Sequence, residues 1–351
     1  MKAFIRGTGV ISPQHTRNSR NFPGEILVSN TNLLRCIEPA YSEFLNPVMA
    51  RRMGRVIKMG IASAMMCMQD SKLEMPDAII AGTALGCLGD TEKFLKAMIA
   101  DNEQFLTPTS FIQSIQNSVS AQIALQLNCT GHNFTFAHKG FSFESALLDA
   151  LMLLENDEAT NILVGGIDEM TDHNYFFYDK LGHWKKEKIY SSHLLSSKTP
   201  GTIGGEGAIF FSLSSDQTEA DYASVTGVKT IYNPNDADDV KSKTYKFLDE
   251  YNLNFEEIDV VLYGNNGDVT TESCYSDLGN NFKNSTACSY KHLCGEYQTS
   301  SAFAMWLGAL ILKTGEIPDV ILQGTKKSER LSHVLIYNIY ENNHSLILLQ
   351  A

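Results

Sequence analysis

Residues 134–166 read FTFAHKGFSFESALLDALMLLENDEATNILVGG, and their order decides the architecture. A β-prone run over 134–140 leads into a helical stretch over 143–155, with Ala146, Leu147, Ala150, Leu151 and Leu154 at helical spacing. A short apolar strand over 161–166 follows. The helix is apolar on nearly all sides, as a helix enclosed between two sheets must be. The pattern recurs downstream: a strand over 285–289, a helix over 299–313 (Ala302, Phe303, Trp306, Ala309, Leu310) and a strand over 319–324. Two such units predict an α/β chain with two topologically similar halves and a central helical layer.

Further strands are expected over 3–11 and 78–84, with a helix over 52–69 between them. That helix is rich in Met (Met59, Met65, Met66), which reads as core packing rather than an adaptable binding face. The polar stretch 214–221, following an expected strand over 207–213, marks the junction, so the halves are taken as 1–215 and 216–351. Residues 233–239 form a turn-rich acidic excursion.

The chain has 351 residues, with 28 Lys and Arg against 40 Asp and Glu, a formal net charge of −12. Such a balance argues against nucleic acid, whose binding draws on phosphate neutralisation. An apolar fraction of 43% suits a substantial core and excludes disorder. No run of about 18 apolar residues occurs, so no membrane span is expected. Charge returns too early in Met1-Lys2-Ala3-Phe4-Ile5-Arg6 for a signal peptide. The seven Cys (36, 67, 87, 129, 274, 288, 294) are scattered, without a CxxC. Neither a disulfide framework nor a zinc site follows; no metal or other cofactor is expected, and a reducing cytoplasm is the expected compartment.

Six short motifs then occur in order along almost the whole chain. They are Arg6-Gly7-Thr8-Gly9-Val10-Ile11-Ser12-Pro13, Arg51-Arg52-Met53-Gly54-Arg55, the segment 108–115 with Asn117, Val164-Gly165-Gly166-Ile167-Asp168-Glu169, Gly205-Glu206-Gly207-Ala208, and Lys291 with Gly295 four residues on. Together they resemble the β-ketoacyl-acyl-carrier-protein synthases of the thiolase fold. The resemblance implies a dimer of five-layered αβαβα subunits, each with two similar halves.

It also implies a Cys at the start of the buried helix, where helix dipole and backbone N–H groups lower the thiol pKa and stabilise an oxyanion. Two His residues should assist malonyl decarboxylation. Against that pattern, Gly140 stands at the nucleophile position, Gly264 at the first His and Glu296 at the second, and only Lys291 is retained. The glycine-rich turn near the family's C-terminus is replaced by Ile339-Tyr340-Glu341-Asn342-Asn343, before a final strand over 346–349. The chain is also short for the family, mostly in its second half.

Three groups could be substitutes. Cys288, in Thr286-Ala287-Cys288, mimics a nucleophile elbow but leads directly into the Lys291 element. His138 and Ser142 flank Gly140 and are the alternative catalytic pair, although Ser at a helix start usually caps. His292 and Cys294 are expected to point apart on an extended segment. Glu296 would oppose a developing enolate, so it is expected to pair with Lys291.

The resemblance therefore points to the family's chain-length-factor subunits. These are non-catalytic partners of an active ketosynthase of the same fold, in fatty-acid or polyketide-type biosynthesis, with aryl-polyene-like pathways among them. Phe111, Ile112, Ile115 and Asn117 are the expected interface residues, and Phe141 and Phe143 are expected to fill the vacated acyl channel. Acyl carrier protein, itself acidic, is expected to dock on the partner, with basic clusters at Arg51/Arg52/Arg55/Lys58 and Lys185/Lys186/Lys188 as local exceptions. The alternative is a homodimeric acyl-thioester transferase or hydrolase with relocated groups.

Overall fold

The computed structural model describes residues 2–104, 106–327 and 331–351. Ten strands form one continuous ladder in the order β3-β2-β4-β5-β1-β6-β10-β9-β7-β8. The first five are β1 (Ala3–Ile11), β2 (Ala78–Gly82), β3 (His132–Phe136), β4 (Asn161–Asp168) and β5 (Gly207–Ser214). The second five are β6 (Ser224–Tyr232), β7 (Val260–Tyr263), β8 (Thr286–Ser289), β9 (His333–Tyr340) and β10 (Asn343–Gln350). Read outward from the middle, both sets run first, fifth, fourth, second, third, so the second repeats the topology of the first. They join where Ala3 pairs with Val225 and Phe4 with Ser224, extended by Ile5 N donating to Ala223 O and Tyr222 N to Ile5 O, each at 2.8 Å.

Strand alternation sends side chains to two different cores. Ile80, Ile162, Val164, Ile209, Phe211, Val260, Leu262, Val334, Ile336 and Ile347 point to a central core shared with the Ser142–Glu155 and Ser301–Thr314 helices. Their neighbours Ile79, Leu163 and Phe210 join the outer core beneath the Arg55–Ser71 and Ser118–Leu127 helices. Val261, Leu335 and Leu348 join a third core under the Ala237–Asp249 and Glu272–Gly279 helices. The result is five layers, αβαβα. Close approach of β1 to its outer helix requires Gly9: a Cβ there would sit 1.9 Å from Ser63 O.

Several expected elements shift. The 52–69 helix begins at Arg55, after Gly54 in extended geometry, and the enclosed helices begin at Ser142 and Ser301. The strand expected over 134–140 is His132–Phe136, and that over 78–84 ends at Gly82. The expected strand over 319–324 is not a ladder strand. Asp319–Ile321 is a 3-10 turn after Pro318, and only Leu322 bridges Cys288. The short apolar run there mimicked a strand, but the strand that follows the second enclosed helix is β9. Lys291–Cys294 is a helical turn rather than an extended segment, so His292 and Cys294 are separated by about 200° around a helix instead of alternating across a strand. Among the described residues no helix is long and apolar enough to cross a membrane.

Candidate functional site

The second half of the site is built by a turn and a zipper. After the Lys291–Cys294 turn, Gly295 takes φ +75 and lets the chain run beside residues 203–205. Glu296 N donates to Ile203 O at 2.8 Å, and Gly205 N donates to Glu296 O at 3.0 Å. This anchors the Gly205-Glu206-Gly207-Ala208 element, whose Glu206 accepts from both terminal Arg55 nitrogens at 2.7 Å and from Cys36 N at 2.8 Å.

Lys291 is fully buried, and its Nζ lies 2.7 Å from both Glu296 carboxylate oxygens. Asn266 Nδ2 donates to Glu296 Oε2 at 2.7 Å. The carboxylate is thus committed to a cation and an amide, and the expected pairing is present. A buried pair of this kind resists the loss of either partner.

Gly140 lies in the middle of a 3-10 turn, Lys139–Phe141, that feeds the first enclosed helix. The space a side chain would need there is taken. An ideal Cβ on Gly140 would stand 2.7 Å from Tyr340 Cβ and 3.0 Å from its Cγ and Cδ1. Gln298 Nε2 donates to the Tyr340 hydroxyl at 2.8 Å and to the Tyr178 hydroxyl at 2.8 Å, which fixes the ring in place. Burial raises the Tyr340 phenol far above its ordinary value, so it stays neutral.

Gly264 is closed in the same way. A Cβ there would stand 2.3 Å from Asn338 Oδ1 and 3.1 Å from the Tyr290 hydroxyl. Tyr290 donates to Asn338 Oδ1 at 3.0 Å, and the Tyr275 hydroxyl donates to Gly264 O at 2.7 Å. A cleft of about 230 Å³ is lined by Tyr178, Trp184, Asn266, Asp268, Glu296, Gln298, Tyr340 and Glu341.

The substitute groups do not assemble. Ser142 Oγ donates to Lys139 O at 2.7 Å and accepts from His138 N at 2.8 Å, whereas the His138 ring meets Ser145 Oγ at 3.4 Å. No Ser142–His138 side-chain pair forms, and Ser142 closes the 3-10 turn instead of acting as the cap, a position held by Phe141. Cys288 is buried and pushed up to about 12 by desolvation. His292 is neutral, lowered to about 4 by burial, and its Nε2 donates to Val320 O at 3.1 Å.

The proposed lining residues separate. Phe143 is fully buried against Phe211, with ring centroids 5.9 Å apart, and Phe141 meets His138 edge-on at 6.3 Å. Phe111, Ile112 and Ile115 are instead exposed at 54%, 60% and 49%, on and just after the Pro108–Gln113 helix. Asn117 donates to Asn133 and Thr135 on edge strand β3, whose Phe134 is 50% exposed. Of the two basic clusters, Arg55 is committed to Glu206 and Glu38, and Lys185 is buried against the Thr199 and Gly267 carbonyls.

The sequence did not reveal Tyr340, Asn338 or Gln298. A signal existed for Tyr340 alone, in the replaced glycine-rich turn. Glu144 was also missed: it is fully buried in the first turn of the first enclosed helix, raised by desolvation, and accepts from Ser345 Oγ at 2.7 Å.

Residues 30–202 match the sequence model described as the beta-ketoacyl synthase N-terminal domain. No curated protein matches the chain. Among solved structures, the ishigamide ketosynthase/chain length factor is 17% identical, with 100% of this chain and 99% of that chain covered at TM-score 0.81. A ketosynthase (ApeO) in complex with its chain length factor (ApeC) from Xenorhabdus doucetiae is 14% identical, with 99% of this chain and 98% of that chain covered at 0.79. A beta-ketoacyl synthase from Burkholderia phymatum STM815 is 14% identical, with 99% of each chain covered at 0.79. At these identities the likeness is one of fold.

Proposed function

We propose that this protein is a non-catalytic, chain-length-factor-type subunit, since residues 30–202 match the β-ketoacyl synthase N-terminal domain model and the whole chain has the ketosynthase fold. It pairs with an active ketosynthase of the same fold in a fatty-acid or polyketide-type pathway, aryl-polyene-like ones included. The observation that carries this reading is Tyr340 over Gly140: the nucleophile position lacks a thiol and also lacks the space for one. Asn338 at Gly264 and the Lys291–Glu296 pair support it at the other two positions. The exposed apolar side chains of Phe111, Ile112 and Ile115, together with exposed Phe134 on edge strand β3, support pairing with a second subunit. With a net charge of −12, the chain repels an acidic carrier protein, which then docks on the partner.

The alternative, a homodimeric thioester transferase or hydrolase using His138 and Ser142, has no geometric support, because Ser142 Oγ is tied to the backbone. The test is purification alone and together with an active ketosynthase encoded nearby. The expected outcome is an inert chain alone and a 1:1 complex whose product length changes when the chain is varied. Phe134→Asp with Ile112→Asp should abolish the complex while shifting the isolated chain's stability by no more than about 0.5 kcal/mol. Condensation or hydrolysis by the isolated chain, lost in Ser142→Ala, would refute the reading.

A further inference from the structure

Residues 88–116 stand off the body of the protein. They hold the Leu88–Ala100 and Pro108–Gln113 helices, and of their described side chains only Asp90 is buried. Leu95 and Ile99 are exposed on the same segment as Phe111, Ile112 and Ile115. A stretch that buries no apolar side chain draws little stability from the core and belongs to the part of a structure that opens most readily. The two helices hold each other instead, with the Phe94 and Phe111 ring centroids 5.3 Å apart.

The segment leaves and returns at one place. Gly86 has φ +63, and a Cβ there would stand 2.9 Å from Gln116 Cα, so the two ends of the segment touch. Among the described residues, every backbone–backbone hydrogen bond of the segment closes between residues 86 and 118. A segment closed on itself at such a neck can move without pulling on the chain before or after it.

Its ties to the body are polar, and each is partly buried or exposed. At the start of the first helix, Gly89 N donates to Glu169 Oε1 at 2.9 Å, and Glu92 accepts from the Thr171 hydroxyl. Lys96 Nζ meets His173 Nε2, and at the other end Gln113 Nε2 donates to Arg52 O. Asp90 turns toward Gly54, where a Cβ would stand 2.0 Å from its Oδ2, and takes Lys93 of its own helix at 3.2 Å. Opening exchanges these bonds for bonds to water, a trade of small net effect per bond.

We propose that residues 88–116 form an arm that opens as one unit in the free chain and is clamped shut when a second subunit covers Phe111, Ile112 and Ile115. The clamping rests on the pairing proposed above; the opening does not.

Native-state hydrogen exchange on the full chain, read residue by residue in low urea, tests both. The protected amides of the two arm helices should share one opening equilibrium. They should exchange roughly a hundredfold or more faster than those of the Ser142–Glu155 and Ser301–Thr314 helices, after correction for intrinsic rates. Glu169→Ala should raise the opening roughly tenfold for every amide of the arm, whereas Glu169→Gln, which keeps an acceptor, should stay near wild type. Gln113→Ala should raise it roughly fivefold from the far end, and it keeps the test valid should Glu169→Ala fold poorly. A complex with an active ketosynthase should slow the arm's exchange roughly tenfold or more. Arm amides as slow as the enclosed helices, unrelated rates within the arm, or acceleration confined to amides beside the substituted residue would each overturn the proposal. So would a complex that leaves the arm's exchange unchanged. Failure to form any complex refutes the pairing, and the clamping with it, while exchange in the isolated chain still decides the opening.

Discussion

Placing a thiol at position 140 is the sharpest test of how this site is closed. An ideal Cβ on Gly140 stands 2.7 Å from Tyr340 Cβ and 3.0 Å from two ring carbons. Carbon atoms pack best at about 3.5–4.0 Å, so Gly140→Cys forces the end of β9 or the 3-10 turn to yield by roughly 1 Å. Overpacking of this kind costs about 1–3 kcal/mol. Gly140 does not have a positive φ, so the cost is contact rather than backbone strain. Tyr340→Gly removes both Cβ and ring, whereas Tyr340→Ala removes only the ring. A double-mutant cycle in urea should therefore give a favourable coupling of about 1–3 kcal/mol between Gly140→Cys and Tyr340→Gly, and a smaller one with Tyr340→Ala. Alkylation by iodoacetamide, read at residue 140 by mass spectrometry, should be slow in the single variant and fast in the double. Natural thiols add little background, because five of the seven Cys are buried and only Cys129 and Cys274 are partly exposed. A coupling below about 0.5 kcal/mol, or equally fast alkylation of the single variant, would refute the idea that Tyr340 occupies the space a side chain at 140 would need.

Other outcomes follow from the same geometry. Glu296→His leaves the Lys291 ammonium buried without its carboxylate and should cost about 3–5 kcal/mol by denaturant unfolding, whereas a paired Lys291→Met/Glu296→Leu change should be near neutral. Burial raises Glu169 from 4.5 to about 7, against a hydrogen bond from Gly89 N and the nearby Arg55. The folded state keeps a proton the unfolded chain gives up, so this contribution is full below about pH 4.5 and is lost as pH rises through 7. Stability of the wild type relative to Glu169→Gln should therefore fall by up to about 3 kcal/mol across that window, and a flat difference would reject it. Buried His292 and His344 titrate the opposite way in acid, and the comparison with the variant cancels them. Phe143→Ala, in the central core against Phe211, should cost about 3–5 kcal/mol in the same unfolding assay.

What could be read in advance was whatever local periodicity encodes. The two enclosed helices are apolar all round because both faces meet sheets, so residues 143–155 and 299–313 announced a central layer. The run 319–324 misled because six residues with a short apolar stretch look alike whether they join a ladder or make one bridge to Cys288. At the site, the Lys291–Glu296 pair is separated by five residues and was legible. The occupant of the space beside Gly140 was not, since Tyr340 arrives from 200 residues downstream and from the other half of the sheet. The Ser142–His138 pairing failed for a local reason: a hydroxyl at a turn finds backbone partners, Lys139 O and His138 N, before it finds an imidazole.

The open edge at β3 bears on how long the chain survives. Among the described residues no strand pairs with the outer side of β3, which with exposed Phe134 offers a template to any passing strand, and the apolar side chains of Phe111 and Ile112 are exposed as well. A species that binds only the folded chain raises its apparent stability by mass action, by about 2.7 kcal/mol at a hundredfold excess over Kd. Copies made in surplus of such a binder forgo that gain and are the ones removed first by aggregation or proteolysis. Were such a binder limiting, turnover of the surplus alone would hold the two in step.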